Sequence, residues 1–592
     1  MNDHGLNIDL KRFSQTSANG DSELGLYRND QHREKPEVDW ETYGLQVAKL
    51  EKLEGWRLWV TITCLLIGLF MSGLESSIIA TALVPISAAF HGGERANWIV
   101  ASYFISYTGF LIIFARLSDL FGRKPMHLIA ITIFTIFSAA CGGAQTMTQL
   151  IVLRSFQGMG AAGLYSLAMF IVPEVTPEKH ISYAIGSFAP TFALSSLLGP
   201  LLGGIITTYT NWRWIFFLNV PTGVLLLCVG ALVFPANSKP LSIRRRTFSF
   251  IDFPGMILSL LGVILMVYGI ERGGVRQIWT TPNVLAPIAI SATALIGFVT
   301  WETCLSHVKV RRIKMIPLLP IHLITRRVLG SIFLYVPTIT FLFAVETNLL
   351  RIEMGTADTN FQYRSAFIAG FPFMMTTIFL PQRFQLQNGL SAKDAGYRML
   401  PLLLVSAASG AIFAVIAKRF NIAWCILFGS LCLQIVAFGL FTTLPTTGEL
   451  SDVQYGCQVL LGLGFGGTLS SFLILVRSEL LTCSPLVSTR EGTMTGAITQ
   501  IRILGGLLGI AIAQAVIATH ITRKLSEALD SKTLELVLKT PSAIFDLPPE
   551  GEDAAIQAYG EAFVLINRIA VGLCGAALLA ACLGAWRRRP QG

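Results

Sequence analysis

The chain has 592 residues, 53% of them hydrophobic and only 14% charged, with a mean hydropathy of +0.61. That balance excludes a soluble multidomain protein and assigns the chain to the polytopic, all-α membrane class. The formal net charge of +10 would suggest nucleic acid in a soluble protein. Here, however, Lys and Arg fall in short clusters between apolar runs, as membrane orientation demands, so the bilayer is the expected partner and nucleic acid is not.

Residues 1–56 are polar, mix both charge signs and lack sustained apolar periodicity, so they read as a cytoplasmic, largely disordered tail. No apolar segment precedes residue 57, and the first spanning helix is expected to act as the insertion signal. Runs long enough to cross the hydrocarbon, about 20 residues each, then follow at 58–82, 98–115, 127–146, 150–172, 184–207, 214–234, 252–271 and 284–303. A second series lies at 366–382, 397–417, 422–444, 455–476, 495–518 and 562–586, which makes fourteen predicted spans.

A further apolar run, Val328–Val345, is tested by charge. Basic clusters face the cytoplasm, and with fourteen spans those at Arg123–Lys124, Arg244–Arg246, Arg311–Arg312, Lys418–Arg419 and Arg587–Arg589 share one side. A fifteenth span would place the last two outside. Residues 328–365 are therefore expected to form an interfacial or re-entrant insertion, or to be sequence the mature protein lacks. The predicted organisation is a six-helix bundle over 57–235, a linker over 236–327 carrying helices 7 and 8, a second six-helix bundle over 366–586, and a cytoplasmic tail at 587–592. Both termini are then cytoplasmic, and 519–561 faces outside.

Charges inside the spans are the candidate chemistry. Glu75 is the only acidic residue of the 58–90 run, and Arg154 stands about one turn inside helix 4. A charge there costs roughly 2.5–3.5 kcal/mol at mid-bilayer on insertion scales and is a functional hypothesis by default. Helix 1 runs outward and helix 4 inward, so the two residues lie at similar depth and within reach of one another. Burial disfavours a carboxylate's charged form and a neighbouring cation favours it, a competition that suits a proton carrier. Between helices 2 and 3, ARLSDLFGRKP at 115–125 combines a carboxylate at a helix end (Asp119), a turn residue (Gly122) and two cations (Arg123, Lys124) placed to neutralise a neighbouring helix C-terminus. The run 186–209 carries Gly186, Pro190, Ser195, Gly199, Pro200, Gly203 and Gly204. Lipid tolerates such a helix, and its small residues let a neighbour approach closely.

These strings resemble the motifs of the major facilitator superfamily. The 115–125 loop resembles its loop signature, with Ala115 in place of the usual first glycine. Arg154, Gln157, Gly158 and Gly160 match its fourth-helix motif. The order Gly186, Ser195, Gly199, Pro200, Gly203, Gly204 is similar to its fifth-helix antiporter motif, with Ser195 where a glycine is usual. SGLESSIIATAL at 72–83 and WRWIFFLNVP at 212–221 resemble the fourteen-span drug:proton antiporter group, in which the Glu75 position is usually Asp. The resemblance implies a major facilitator fold of two six-helix bundles plus two linking helices. It implies proton coupling through Glu75 and Arg154, and stabilisation of the outward-open state by Asp119, Gly122 and Arg123. It also implies export of a drug, toxin or secondary metabolite from a fungal cell, driven by the proton gradient with no cofactor. The plasma membrane is the expected location, with the vacuolar membrane left open, and a monomer is expected.

Gln157, Trp98, Tyr107, Phe373 and Arg502 are candidates for lining a substrate cavity. The run Gly462–Gly467 lies in a span with no strand before it and reads as helix packing, not a dinucleotide loop. The ten cysteines lack metal-ligand or disulfide-framework spacing. No paired catalytic carboxylates or nucleophile triad stand out, so no enzyme is expected. A siderophore or nutrient carrier of the same fold, or a helical membrane sensor, remain the alternatives.

Overall fold

Long apolar segments in a bilayer have no water to satisfy their peptide groups, so they close their hydrogen bonds internally as helices. The computed structural model describes residues 52–234, 252–276, 281–307, 358–420, 422–483 and 487–586. The principal helices are α1 (Gly55–Phe90), α2 (Ala96–Phe121), α3 (Arg123–Gly142), α4 (Met147–Val175), α5 (Phe188–Tyr209), α6 (Asn219–Val233), α7 (Phe253–Arg276) and α8 (Pro282–His307). They continue with α9 (Asp358–Leu386), α10 (Leu400–Phe420), α11 (Ala423–Phe441), α12 (Val453–Cys483), α13 (Val487–Ala528) and α14 (Pro549–Trp586). Each lies over one of the predicted runs. Among the described residues, eleven helices are long and apolar enough to cross a membrane, and Pro282–Phe298 is a shorter apolar helix.

The helices form two bundles with the same pattern of neighbours. In the first, α1 packs on α5, α4 on α2 and α3, and α6 on α3. In the second, α9 packs on α13, α12 on α10 and α11, and α14 on α11. The α7–α8 hairpin lies beside them, with α7 against α2 and α13. Asp252 fixes this hairpin at one end, where its carboxylate accepts the Gly255 N–H at 3.0 Å and the Trp301 indole N–H at 2.7 Å.

Glycine sets how closely the helices approach. A Cβ on Gly160 would press into the Phe134 backbone, 2.8 Å from its Cα, so α4 crosses α3 there with almost no gap. Gly158 does the same to Tyr103 on α2. In the second bundle Gly462 and Gly464 face α10 and α11, with a Gly464 Cβ lying 2.9 Å from the Ser430 carbonyl. The Gly462–Gly467 run is a helix-packing face inside α12.

Three boundaries differ from the expected ones. The run read as one helix from 184 is broken at Ser187, between a short helix at Glu178–Gly186 and α5. Helix α9 starts at Asp358, inside the stretch assigned to the insertion, and residues 328–357 of that stretch lie outside the described residues, as do 1–51 and 587–592. The segment 519–561 is helical: α13 runs on to Ala528, a helix follows at Ser531–Lys539, and α14 begins at Pro549. Leu525, Val537, Ile544 and Ala555 are buried there in a small core that also takes in Leu386 of α9, so the helices continue past the apolar stretch that marked them.

Replacing Gly160 with Leu is expected to lower unfolding stability by about 1–3 kcal/mol or more through overpacking. Gly572→Leu, where a Cβ meets nothing within 4 Å, should leave it unchanged. Thermal unfolding of the detergent-purified variants makes the comparison.

Candidate functional site

Five helices of the first bundle converge on one buried polar cluster. α1 supplies Glu75 and α4 supplies Arg154; both are 1% exposed and form an ion pair through Oε1 and Nη1. The second carboxylate oxygen accepts a hydrogen bond from Asn219 Nδ2 of α6 at 2.6 Å. Arg154 also donates from Nη1 to Gln157 Oε1 at 2.8 Å and from Nε to the Ile99 carbonyl of α2 at 3.2 Å. Its guanidinium lies 4.3 Å from the Tyr103 ring centroid, a cation–π contact that strengthens where water is excluded. Gln157 then donates to Ser138 of α3 at 2.8 Å. Both carboxylate oxygens have partners, and the guanidinium is held from three sides. That is the condition on which a buried ion pair survives.

The positions of α4 and α1 follow from the small residues around the cluster. Gly158 lets α4 approach α2 beside Arg154, and Ser72 of α1 donates to the Ala161 carbonyl at 3.2 Å while its own carbonyl accepts the Tyr103 hydroxyl at 3.1 Å. Gln157, expected to line a cavity, is fully buried inside this network. Asn219 lies within the WRWIFFLNVP string but was not singled out as a partner. Its backbone position one turn into the sixth span was the available signal.

The α5 motif forms a second site on the opposite side of α1. A Cβ on Gly199 or Gly203 would collide with Ser77, Ile78 or Thr81, and the Gly199 Cβ would stand 2.9 Å from the Ile78 nitrogen. Ser77 donates to the Ser195 carbonyl at 3.1 Å and Thr81 to the Pro200 carbonyl at 3.0 Å. Gly204 faces the other bundle instead, against the backbone of Ala392 and Lys393 in a short helix (Ala392–Arg398) that precedes α10. In return a Gly396 Cβ would lie 2.6 Å from the Pro200 carbonyl. Gln385 of α9 donates to the Thr81 carbonyl at 3.1 Å, and Lys393 Nζ donates to the Tyr209 hydroxyl at 3.0 Å. The two bundles are thus tied where α1, α5 and α9 end. Gly186 takes no part in these contacts, with nothing within 4 Å of its Cβ position.

At the loop between α2 and α3, Gly122 has φ +98°, a conformation that glycine adopts without strain. Arg123 is 2% exposed and pairs with Glu174 at the end of α4 at 2.8 Å. It also contacts Ser118. Lys124 meets a second helix C-terminus, donating to the Ala231 carbonyl of α6 at 2.8 Å and to the Phe234 carbonyl just after it at 2.9 Å. The Asp119 side chain lies outside the described residues. Glu174 is a partner that sequence reasoning missed, since it stands 51 positions away in a part of α4 that carries no motif.

Of the cavity candidates, Tyr107, Phe373 and Arg502 are brought together. Tyr107 stacks on Tyr103 at 5.9 Å and meets Tyr165 edge-on at 6.1 Å. The Tyr165 hydroxyl donates to Thr499 of α13 at 3.1 Å, and Arg502 lies 5.4 Å from the Phe373 ring centroid. Trp98 is elsewhere. It is half-buried against Tyr268 of α7 at 6.1 Å, because that face of α2 is turned to the linker hairpin.

A family model described as Major Facilitator Superfamily matches residues 65–510. The chain is 38% identical over 523 residues to MFS-type transporter FPY5 of Fusarium mangiferae, covering 86% of this chain and 80% of that protein. It is 25% identical to efflux pump FUS6 of Gibberella fujikuroi, covering 88% of each chain, and 28% identical to multidrug resistance protein 3 of Bacillus subtilis, covering 78% of this chain and 80% of that one. Among solved structures, a bacterial homolog of the human lysosomal transporter Spinster, inward-facing and occupied, superimposes with TM-score 0.57 at 14% identity over 89% of this chain and 96% of that one.

Arg123→Ala and Glu174→Ala should be non-additive, with a coupling energy of about 0.5–3 kcal/mol. A double-mutant cycle on unfolding midpoints measures it; additive effects would mean the pair contributes nothing.

Proposed function

This chain belongs to the Major Facilitator Superfamily, and from that premise we propose that it is a proton-coupled exporter of a hydrophobic or amphipathic small molecule. The observation that carries the proton coupling is the buried Glu75–Arg154 pair with its Asn219 and Gln157 partners. The names of its fungal and bacterial relatives, efflux pump and multidrug resistance protein among them, support the direction and the substrate type.

The proposed cycle rests on α1. One face of this helix carries Glu75, and residues 77–81 on another face carry the contacts to α5 and α9. A proton arriving at Glu75 neutralises the carboxylate, removes most of its attraction for Arg154 and frees α1 to shift. The shift loosens the Ser77–Ser195 and Thr81–Pro200 contacts, and with them the junction at which Gly204 and Gly396 let the bundles touch. Under the charge distribution of the loops, that junction faces outside, so its opening releases substrate outward. The proton reaches Glu75 from outside; once the substrate has left, the protonated carrier closes and loses the proton to the cytoplasm, which restores the ion pair. Alternating access then follows as a movement of one bundle against the other around a central site, with protons as the second partner and the plasma membrane as the location.

In proteoliposomes with an imposed pH gradient, Glu75→Gln is expected to abolish uphill substrate movement while leaving substrate binding. Glu75→Asp should keep part of the activity, because a carboxylate remains. Arg154→Ala should be inactive, since Glu75 then has no cation to hold or release. Uphill movement by Glu75→Gln at the wild-type rate, with equal protein incorporated, would make the carboxylate structural.

A further inference from the structure

Arg502 differs from four other arginines at buried junctions. Arg154 and Arg123 each meet a carboxylate. Arg213 donates to the Gly142 carbonyl at 2.9 Å, and Arg383 to Gln387 at 2.8 Å and the Pro445 carbonyl at 3.4 Å. Arg502, half-buried on α13, has neither a carboxylate nor a hydrogen-bond acceptor among the described residues. Its contacts are aromatic: it lies 5.4 Å from the Phe373 ring centroid of α9 and within electrostatic reach of Tyr107 on α2 and Tyr165 on α4. Those four helices belong to both bundles, so the unanswered cation sits between the halves that the proposed cycle moves.

A cation taken partly out of water and left without a counter-ion is unfavourable, and the deficit is made good by whatever anion enters. The guanidinium fork matches a carboxylate with two parallel hydrogen bonds. One cation among aromatic rings balances one negative charge. A dianion would leave a charge uncompensated, and a cationic substrate would be repelled. The rings of Tyr107, Tyr165, Phe192 and Phe373, with Tyr165 and Phe192 5.4 Å apart, offer an apolar surface for the remainder of the molecule.

Resting on the export reading, we propose that the substrate is an amphipathic organic monoanion whose carboxylate pairs with Arg502 and whose apolar body lies on these rings. The test uses the full-length protein in detergent with two probes of the same shape, dansyl-leucine and its methyl ester, followed by probe fluorescence and thermal stabilisation. The free acid is expected to bind about tenfold or more tightly than the ester, as loss of one partner of a desolvated charge pair requires. Arg502→Gln should bring the ratio close to one, and Arg502→Lys should retain part of it, which separates loss of charge from loss of fold. Equal binding of acid and ester, an unchanged ratio in Arg502→Gln, or binding of neither probe would overturn the proposal. The ratio is read without any gradient, so it stands or falls separately from proton-coupled export.

Discussion

Glu75, a carboxylate buried inside the first bundle, is answered by a cation and by hydrogen bonds, and four other helices supply them. α4 brings Arg154 and Gln157, α6 brings Asn219, α2 brings the Ile99 carbonyl and the Tyr103 ring, and α3 brings Ser138. Removing one partner of such a buried pair typically costs about 3–5 kcal/mol, because it strands the other. The first bundle therefore has a buried ion pair where its helices meet. A buried polar cluster of the second bundle is neutral: Gln434 donates to Thr468 at 2.7 Å and to the Gly464 carbonyl at 3.0 Å, and accepts from Cys574 at 3.7 Å. Two bundles with the same pattern of neighbours thus differ in that the first holds a buried ion pair and this cluster of the second does not.

The same helix that holds Glu75 also carries the contacts between bundles, and small residues make this possible. Gly199 and Gly203 bring α5 into backbone contact with α1, and Gly204 and Gly396 bring the bundles together beyond them. Close approach through small residues puts the two helix backbones in direct contact. Hydrogen bonds from Ser77, Thr81 and Gln385 to main-chain carbonyls fix the closed position. α1 thus carries Glu75 and the contacts to α5 and α9 on residues only two to six positions apart along its own length.

Much of this was legible in the sequence because lipid imposes strict rules on what crosses it. Helix positions followed from apolar runs, and Glu75 and Arg154 stood out because charge in such a run is costly. Helix ends were less legible: α1 extends from 55 to 90 and α14 starts at 549, since a helix does not stop where the hydrocarbon does. Partners set by tertiary packing were hidden as well. Asn219 and Glu174 are ordinary polar residues until the fold places them at Glu75 and Arg123. Trp98 and Gln157 show the converse, since residue type suggested a cavity and the fold assigned one to the linker contact and the other to the ion-pair network. The interruption at Ser187 did have a signal in Pro190, which has no N–H to give the Gly186 carbonyl four residues before it.

The account depends on Glu75 being the group that gains and loses the proton within the folded protein. Infrared difference spectroscopy across a pH titration, following the carbonyl stretch of protonated carboxyl groups in wild type and Glu75→Gln, measures this without reference to any substrate. The account predicts a band that grows on acidification in the wild type and is missing from the same titration of Glu75→Gln. Identical bands in the two proteins would contradict it and move the proton to another carboxylate.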